Sequence, residues 1–387
     1  MTTLAACPDI AIGAGRLTGL GAELRALINR PVRVLIVLDP GLEATKTRAI
    51  IEQALHDVRM PAIFFDRLAG EPRARDIDAA AKLARDERAE AVVGVGGGTA
   101  LDIAKMIAAI SIDDPGADHY QMCRNPFPPV PLPLIQVPTT AGTGSEATLT
   151  AVHSNAAGKT VWCWGQELRA AKIILDPTLT ESLPAHLVAA TGLDALVHAI
   201  EASTNATATP YTRVHGHEAI RLISAYLPIA VAGTAGGHRQ DQVAVARERM
   251  LWASCLAGIA IDNCGTAIAH TIAHALGTLG RVHHGRAAAL GLRASLSWNI
   301  THNTEAFADV AALMGAPSDA SALSGVFDAL LRTVGLETSL ADDLPGLTPE
   351  ALALEMAAPE HAAMRKSNAR PSSDADLLLL ATAVLAG

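Results

Sequence analysis

The chain reads as an α/β portion followed by an all-helical portion, and three observations predict that division. Short β-branched runs alternate with helical stretches up to about residue 180. Strand-like text stops after DPTLTESLP, and from roughly Pro184 onward alanine and leucine recur at helical spacing. At 387 residues, 50% hydrophobic and 18% charged, the chain can fill one large or two medium cores, and its length favours two domains, 1–181 and 182–387.

The expected strands, in order, are VRVLIVL, AIFFD, AVVGV, PLIQVP and AKIILD, runs of the kind that a parallel sheet buries on both faces. Helical text joins them, at 43–58 and 74–89 for example. The stretch 113–133, which alternates proline with apolar residues near its end, reads as a surface excursion between a helix and a strand. In the second portion, Gly/Pro/Asn turns near 232–237, 299–303 and 341–348 separate the helices. Trp162 and Trp164, in a chain with 3% aromatic residues, are expected as core or interface anchors.

Three loops of the first portion carry ligand chemistry. In AEAVVGVGGGTALDIAK an apolar strand runs into Gly96, Gly97 and Gly98, and a helix starts near Thr99. Glycines remove Cβ atoms where a diphosphate must approach the backbone, and the open N–H groups and positive dipole end of the helix supply donors. The spacing is not GxGxxG, so the usual dinucleotide fingerprint does not apply. In VPTTAGTGSEAT the hydroxyls of Thr139, Thr140, Thr143 and Ser145 sit on a loop kept small by Gly142 and Gly144, as a polar ligand bound edge-on needs, although Thr/Ser-rich turns are also common for their own sake. RVLIVLDPG ends a buried-type strand at Asp39, a carboxylate suited to accept from ribose hydroxyls and to repel a ribose phosphate, which favours NAD over NADP.

The second portion holds the metal chemistry. Asp194 and His198 in GLDALVHAIE stand four apart on helical text, so their side chains share one face. His270 and His274 repeat that spacing, and Gly280 and Gly285 punctuate a turn that swings His284 back towards them. One carboxylate with three imidazoles is a thiolate-free set suited to a catalytic Fe(II) or Zn(II) rather than to a structural zinc. Such an ion is a Lewis acid with room for a substrate oxygen.

Taken together, the GGGTALDIAK loop, the VPTTAGTGSEAT loop, the GLDALVHAIEA helix and the HTIAHALG…HHG segment resemble the iron-containing (group III) alcohol dehydrogenase family, in that family's order across nearly the whole chain. The resemblance implies an N-terminal Rossmann-like dinucleotide-binding domain, a C-terminal all-helical metal-binding domain, and a cleft between them. Carried over by residue, Asp194, His198, His270 and His284 are the metal ligands, and His274 faces the substrate or moves a proton. Asp39, Gly97, Gly98, Thr139, Thr140, Thr143, Ser145 and Lys159 contact NAD, with Asp102 close by. The implied ion is Fe2+, with Zn2+ the alternative, since an N/O site holds zinc more tightly than iron.

The chain also departs from the family. Members commonly read PHG at the last ligand, whereas this sequence has His283, His284, Gly285, Arg286 and three alanines, so His283 competes with His284. The interval from His270 and the adjacency to Gly285 favour His284. EASTNATATPYTR is likewise its own, and Arg281 or Arg286 either selects a carboxylated substrate or lies on the surface.

The implied reaction is hydride transfer from a metal-bound alkoxide of a small alcohol, diol or hydroxyaldehyde to the nicotinamide, reversible as aldehyde or ketone reduction. Two related activities compete. A metal-independent reductase resembling maleylacetate reductase does not require the intact Asp194, His198, His270, His284 set, and a dehydroquinate-synthase-like lyase needs arginines and lysines that do not crowd these motifs. A non-catalytic metal-binding scaffold leaves the cofactor loops without purpose.

A net charge of -9 argues against nucleic acid or an anionic membrane as a partner. Five scattered cysteines without CxxC indicate neither a disulfide framework nor thiolate zinc. MTTLAACPDIAIG lacks a signal-peptide pattern and LLLLATAVLAG is too short to span a bilayer, so the expected setting is the cytoplasm and the expected assembly a homodimer or higher homo-oligomer.

Overall fold

A computed structural model describes residues 4–68, 70–112, 115–280 and 282–387. The chain gathers into two units, Ala5–Thr140 with Gly144–Ser182, and Leu183–Gly387 with Ala141–Thr143. A single boundary at 181/182 does not describe the excursion Ala141–Thr143, which leaves the first unit in mid-loop.

The first unit contains the strands β1 (Asp9–Ile12), β2 (Val34–Leu38), β3 (Ala62–Phe65), β4 (Ala91–Gly96), β5 (Leu134–Pro138), β6 (Thr150–Ser154), β7 (Thr160–Trp164) and β8 (Lys172–Leu175). Six of them form one parallel sheet in the order β1-β8-β5-β4-β2-β3, and β6 and β7 pair as an antiparallel hairpin. The central strands VLIVL, AVVGVG and LIQVP are buried throughout, which is why they read as continuous apolar runs rather than as alternating ones. Helices α1 (Leu20–Ile28) and α2 (Thr47–Asp57) share a core with alternate residues of the sheet, among them Val34, Ile36, Val93 and Val95. Helices α3 (Ala74–Asp86) and α4 (Gly98–Ile110) pack on each other, and α4 lies along β2, β4 and β5.

Strand β2 has β3 on one side and β4 on the other, so the strand order reverses between β2 and β4. Ligands of open α/β sheets bind beyond the carboxyl ends of the strands at such a reversal. Asp39 and Gly97 are the residues that follow those two ends.

Two expectations for this unit are narrowed. The 113–133 stretch is not a plain surface excursion: positions 113 and 114 lie outside the described residues, but Tyr120 and Phe127 are buried and stack at 4.8 Å, so the segment carries its own apolar anchor. Trp164 is 48% exposed at the end of β7, which leaves the interface role of the two expected for it.

The second unit is helical: α5 (Ala185–Thr204), α6 (Pro210–Ala232), α7 (Gln240–Asp262), α8 (Ile268–Leu279), α9 (His284–Ile300), α10 (Thr304–Leu313), α11 (Leu323–Thr333), α12 (Pro349–Met356), α13 (Ala362–Ser367) and α14 (Asp374–Ala386). Helix α5 packs against α6, α7 and α9 and is buried from Ala189 onward almost all round, as its lack of charged residues other than Asp194 and Glu201 requires. The EASTNATATPYTR stretch ends α5 and starts α6, where Thr209 and Thr212 form a reciprocal capping box that spans Pro210 at the first helical position. Among the described residues no helix is long and apolar enough to cross a membrane.

Candidate functional site

Asp194, His198 and Glu201 occupy successive turns on one face of α5, and all three are buried. His270 and His274 lie one turn apart on α8, and His284 opens α9. The approach of α9 to α5 depends on Gly285. It lies in the first turn of α9 rather than in the connecting turn that its sequence context suggests, and a Cβ there would stand 2.2 Å from the Ala190 carbonyl oxygen and 3.1 Å from Asp194 Cβ. Only glycine lets the two backbones meet so closely, and the meeting sets His284 beside Asp194.

The result is a converging donor set. Asp194 Oδ1 stands 3.6 Å from His270 Nε2 and 3.7 Å from His284 Nε2. The three donor atoms lie within 4.8 Å of one another. The two distances are long for hydrogen bonds but close to the ~3.4 Å edge of a tetrahedron whose corners sit about 2.1 Å from a zinc-sized ion. Asp194 Oδ1 and His270 Nε2 are buried without a hydrogen-bond partner among the described residues, a costly arrangement that a divalent cation relieves. The donor chemistry fits a catalytic Fe(II) or Zn(II).

His198 stands outside that group of three. Its ring stacks on His270, with centroids 4.4 Å apart and planes 16° from parallel. His274 meets His284 edge-on at 5.3 Å and His361 at 6.0 Å. His283, the competing ligand, is exposed at the N-cap of α9 and is not in the group. Arg286 is spent structurally: it donates to the Glu337 carbonyl at 2.7 Å, to Asp343 at 2.8 Å and to the Ser339 carbonyl. Arg281 lies outside the described residues.

Burial dominates the electrostatics, and neighbours decide each outcome. Burial alone would raise Asp194, but His198, His284 and His270 hold its carboxyl well below the usual carboxylate range. Burial pushes His198 down to about 4 against the pull of Asp194, with His270 and His284 adding to the fall. On His270 burial is outweighed by Glu201 and Asp194, which hold it up at about 9. His274 lies well below its ordinary value through burial and through His284 and His270, so its ring is neutral. Glu201 escaped the sequence reading; its signal was a third position, one turn past His198, on the face that already bears two polar residues.

The cofactor candidates divide into groups. Asp39 accepts from the Gly41 N–H at 2.9 Å, and its second oxygen stands 3.4 Å from the Gly97 N–H, tying the end of β2 to the start of α4. Gly96 has φ +156°, and a Cβ on it would fall 2.6 Å from Asp39 Cβ, so this position needs glycine. Gly98 opens α4, and the Thr140 side chain lies against Gly97. Thr139 is buried after β5, its N–H on the Gly96 carbonyl at 2.9 Å. Asp102 and Ser145 turn towards each other: the Ser145 hydroxyl donates to Asp102, which also accepts from the Val152 N–H at 3.0 Å and lies 3.4 Å from the buried Lys105 ammonium. Thr143 belongs to the helical unit. Lys159 is exposed in the hairpin turn between β6 and β7, its backbone N–H bonded to Asn155 at 3.0 Å.

Comparison with known proteins agrees with this geometry. Residues 7–177 match the family described as iron-containing alcohol dehydrogenase, and residues 188–384 match the C-terminal domain of the Fe-containing alcohol dehydrogenase family. The chain is 31% identical to the NAD-dependent methanol dehydrogenase of Bacillus methanolicus over 87% of its own length and 86% of that protein. It is 36% identical to the 1,3-propanediol dehydrogenase of Klebsiella pneumoniae over 81% and 79% of the two chains. Its fold superposes with a TM-score of 0.88 on the sulfoacetaldehyde reductase of Bifidobacterium kashiwanohense in complex with NAD+, at 26% identity and covering 100% and 99% of the two chains.

Proposed function

From the premise that the chain belongs to the iron-containing alcohol dehydrogenase family, we propose that it is a metal-dependent, NAD-linked dehydrogenase of a small alcohol, diol or hydroxyaldehyde, acting in reverse as an aldehyde or ketone reductase. Relatives that act on methanol and on 1,3-propanediol support a short substrate. The observation that carries the metal dependence is the convergence of Asp194, His270 and His284 around two buried donor atoms with no partner among the described residues.

In this reading Asp194, His270 and His284 hold the ion, with His198 closing the set from the same face of α5 as Asp194. When bound, the ion supplies Lewis acidity towards an alcohol or carbonyl oxygen, and the nicotinamide takes or gives the hydride. Asp194, His198 and His270 are buried, which strengthens the charge interactions among them, while the partly exposed His284 leaves the ion open to substrate. A proton leaves during oxidation and returns during reduction through neutral His274, beside His284, or through the cofactor ribose. Asp39, Gly97, Gly98 and Thr140 at the sheet reversal hold the dinucleotide: the glycine backbone approaches the diphosphate, the first turn of α4 donates to it, and Asp39 accepts from ribose hydroxyls, selecting NAD over NADP. Asp102 and Ser145 serve from behind by fixing the hydroxyl-rich loop, and Thr139, Thr143 and Lys159 complete the set of cofactor contacts.

The test is elemental analysis of the purified chain together with NAD reduction on a panel of short alcohols and diols, before and after chelation. Near-stoichiometric iron or zinc with chelator-sensitive NADH formation is the expected result. Turnover by a metal-free chain, undisturbed by chelator, would overturn the metal dependence in favour of a metal-independent reductase.

A further inference from the structure

We infer that Glu201 is the positioning residue of the metal centre, a carboxylate that fixes the orientation and tautomer of His270 and thereby sets metal affinity. The inference rests on the metal-dependent reading above. Glu201 lies seven residues beyond Asp194 on α5 and is 4% exposed. A carboxylate removed from water is tolerated only where donors satisfy it. Three do so here. Oε1 accepts from the Ala269 N–H at 2.8 Å, and Oε2 accepts from the Ala267 N–H at 2.7 Å and from His270 Nδ1 at 2.7 Å.

Two of these donors are open backbone groups at the start of α8, a helix whose N-cap residue Ala267 has no side chain able to cap it. One carboxylate therefore caps α8 and grips the first histidine that α8 presents. With Nδ1 committed as a donor to Glu201, Nε2, the atom that faces Asp194 Oδ1 at 3.6 Å, is the nitrogen left to give up its proton and take the ion. A carboxylate behind a metal-ligating imidazole fixes the ring plane and raises its basicity, and loss of such a partner typically weakens metal binding by about 10–100-fold.

Glutamine is the discriminating substitution. Its side chain has one acceptor oxygen and one amide NH2, whereas donors face both ends of Glu201. If the oxygen faces Ala267 and His270, the NH2 opposes the Ala269 N–H. If the NH2 faces His270, the ring accepts on Nδ1 and carries its proton on Nε2, where the ion should bind. Either orientation perturbs the centre, and the second blocks ligation.

The experiment compares wild-type and Glu201→Gln chains stripped by chelator, titrated with Co2+ at one fixed pH against a competing indicator, with the cobalt d–d spectrum and the metal-free Tm recorded for each. The expected result is a Co2+ Kd at least about tenfold weaker in the variant with an altered d–d band. A Kd within twofold of wild type overturns the inference and leaves Glu201 a helix cap. A weaker Kd with an unchanged d–d band and a lowered metal-free Tm also overturns it, because general loosening then explains the loss. Should Glu201→Gln fail to fold, Glu201→Asp, which keeps the charge but draws the carboxylate back from His270, is read by the same criteria. A wild-type chain that takes up no Co2+ breaks the metal-dependent reading itself, a result distinct from a variant that binds as well as wild type.

Discussion

The helical unit and the α/β unit each bury a cluster of charged side chains, and the two clusters treat their polar atoms in opposite ways. In the α/β unit the Lys105 ammonium donates to Thr148 Oγ1 at 2.9 Å and to the Thr150 carbonyl at 2.6 Å, while Asp102 accepts from Ser145 and Val152. Nearly every donor and acceptor is spent inside the fold. In the helical unit Asp194 Oδ1, His270 Nε2 and His198 Nδ1 are buried without a hydrogen-bond partner among the described residues, although Glu201 on the same helix is fully satisfied. Satisfied buried groups specify a structure; unsatisfied ones that converge mark a place where a ligand belongs. The same difference separates what each cluster should cost to break.

The largest effect is expected at the unsatisfied cluster. His270→Ala removes one of three convergent donors, so bound metal should vanish from elemental analysis and turnover should fall by about 10³-fold or more, the several kcal/mol that a Lewis acid contributes to such a barrier. A metal-free variant that turns over at the wild-type rate would erase the contrast between the clusters. Lys105→Met probes the other side. It removes one member of a buried ion pair and should lower stability by about 3–5 kcal/mol in a urea melt while metal content stays at the wild-type level. Metal loss in Lys105→Met without unfolding would mean that the α/β cluster is not merely structural.

The two regions also differ in how far sequence could reveal them. The five strands read from the text are all present, because strands buried on both faces of a parallel sheet show as unbroken apolar runs. The strand Asp9–Ile12 and the β6–β7 hairpin were missed: the first lies at the sheet edge with a single buried residue and so shows no apolar run, and the second mixes polar and apolar positions without a turn signal as strong as Asn-Gly. Asp194 and His198 were legible from their spacing of four, since that spacing alone puts two side chains on one helical face. Glu201 was not, because its partners, the N–H groups of Ala267 and Ala269, are more than sixty residues away and belong to backbone, which leaves no mark in composition. Ser145 was read as a cofactor contact on the hydroxyl-rich loop and Asp102 as a residue close by, but their bond to each other is tertiary and could be found only by folding the chain.

Glu146 sharpens the comparison through pH. It has a buried oxygen, Oε1, left without a partner among the described residues, and burial raises it from 4.5 to about 7 against its own backbone hydrogen bond and Lys105, with Asp102 adding to the rise. The folded chain therefore keeps this proton up to about pH 7, whereas the unfolded chain releases it near 4.5. Between those values unfolding releases a proton, so this group makes stability fall as pH rises through the window, by at most about 3 kcal/mol, and has no further effect above it. In Glu146→Gln that part of the decline should disappear from urea melts run between pH 4.5 and 7.5. If wild type and variant keep parallel pH profiles, the α/β cluster is as fully compensated as its other bonds suggest, and Glu146 is no exception.

Gly285→Ala carries the smallest expected cost in stability and isolates geometry from chemistry. The added methyl meets the Ala190 carbonyl oxygen at 2.2 Å, a backbone atom that cannot swing aside, so α9 must retreat from α5. Overpacking of this kind costs about 1–3 kcal/mol. No donor atom is removed, and Asp194, His198 and His270 keep their places on α5 and α8; only His284 moves off with α9. Metal affinity should therefore fall by more than the change in Tm of the metal-free chain accounts for, while the pH response assigned to Glu146 stays as in wild type. A variant that loses stability but binds metal as wild type does would show that His284 is dispensable and that the ion rests on the residues of α5 and α8.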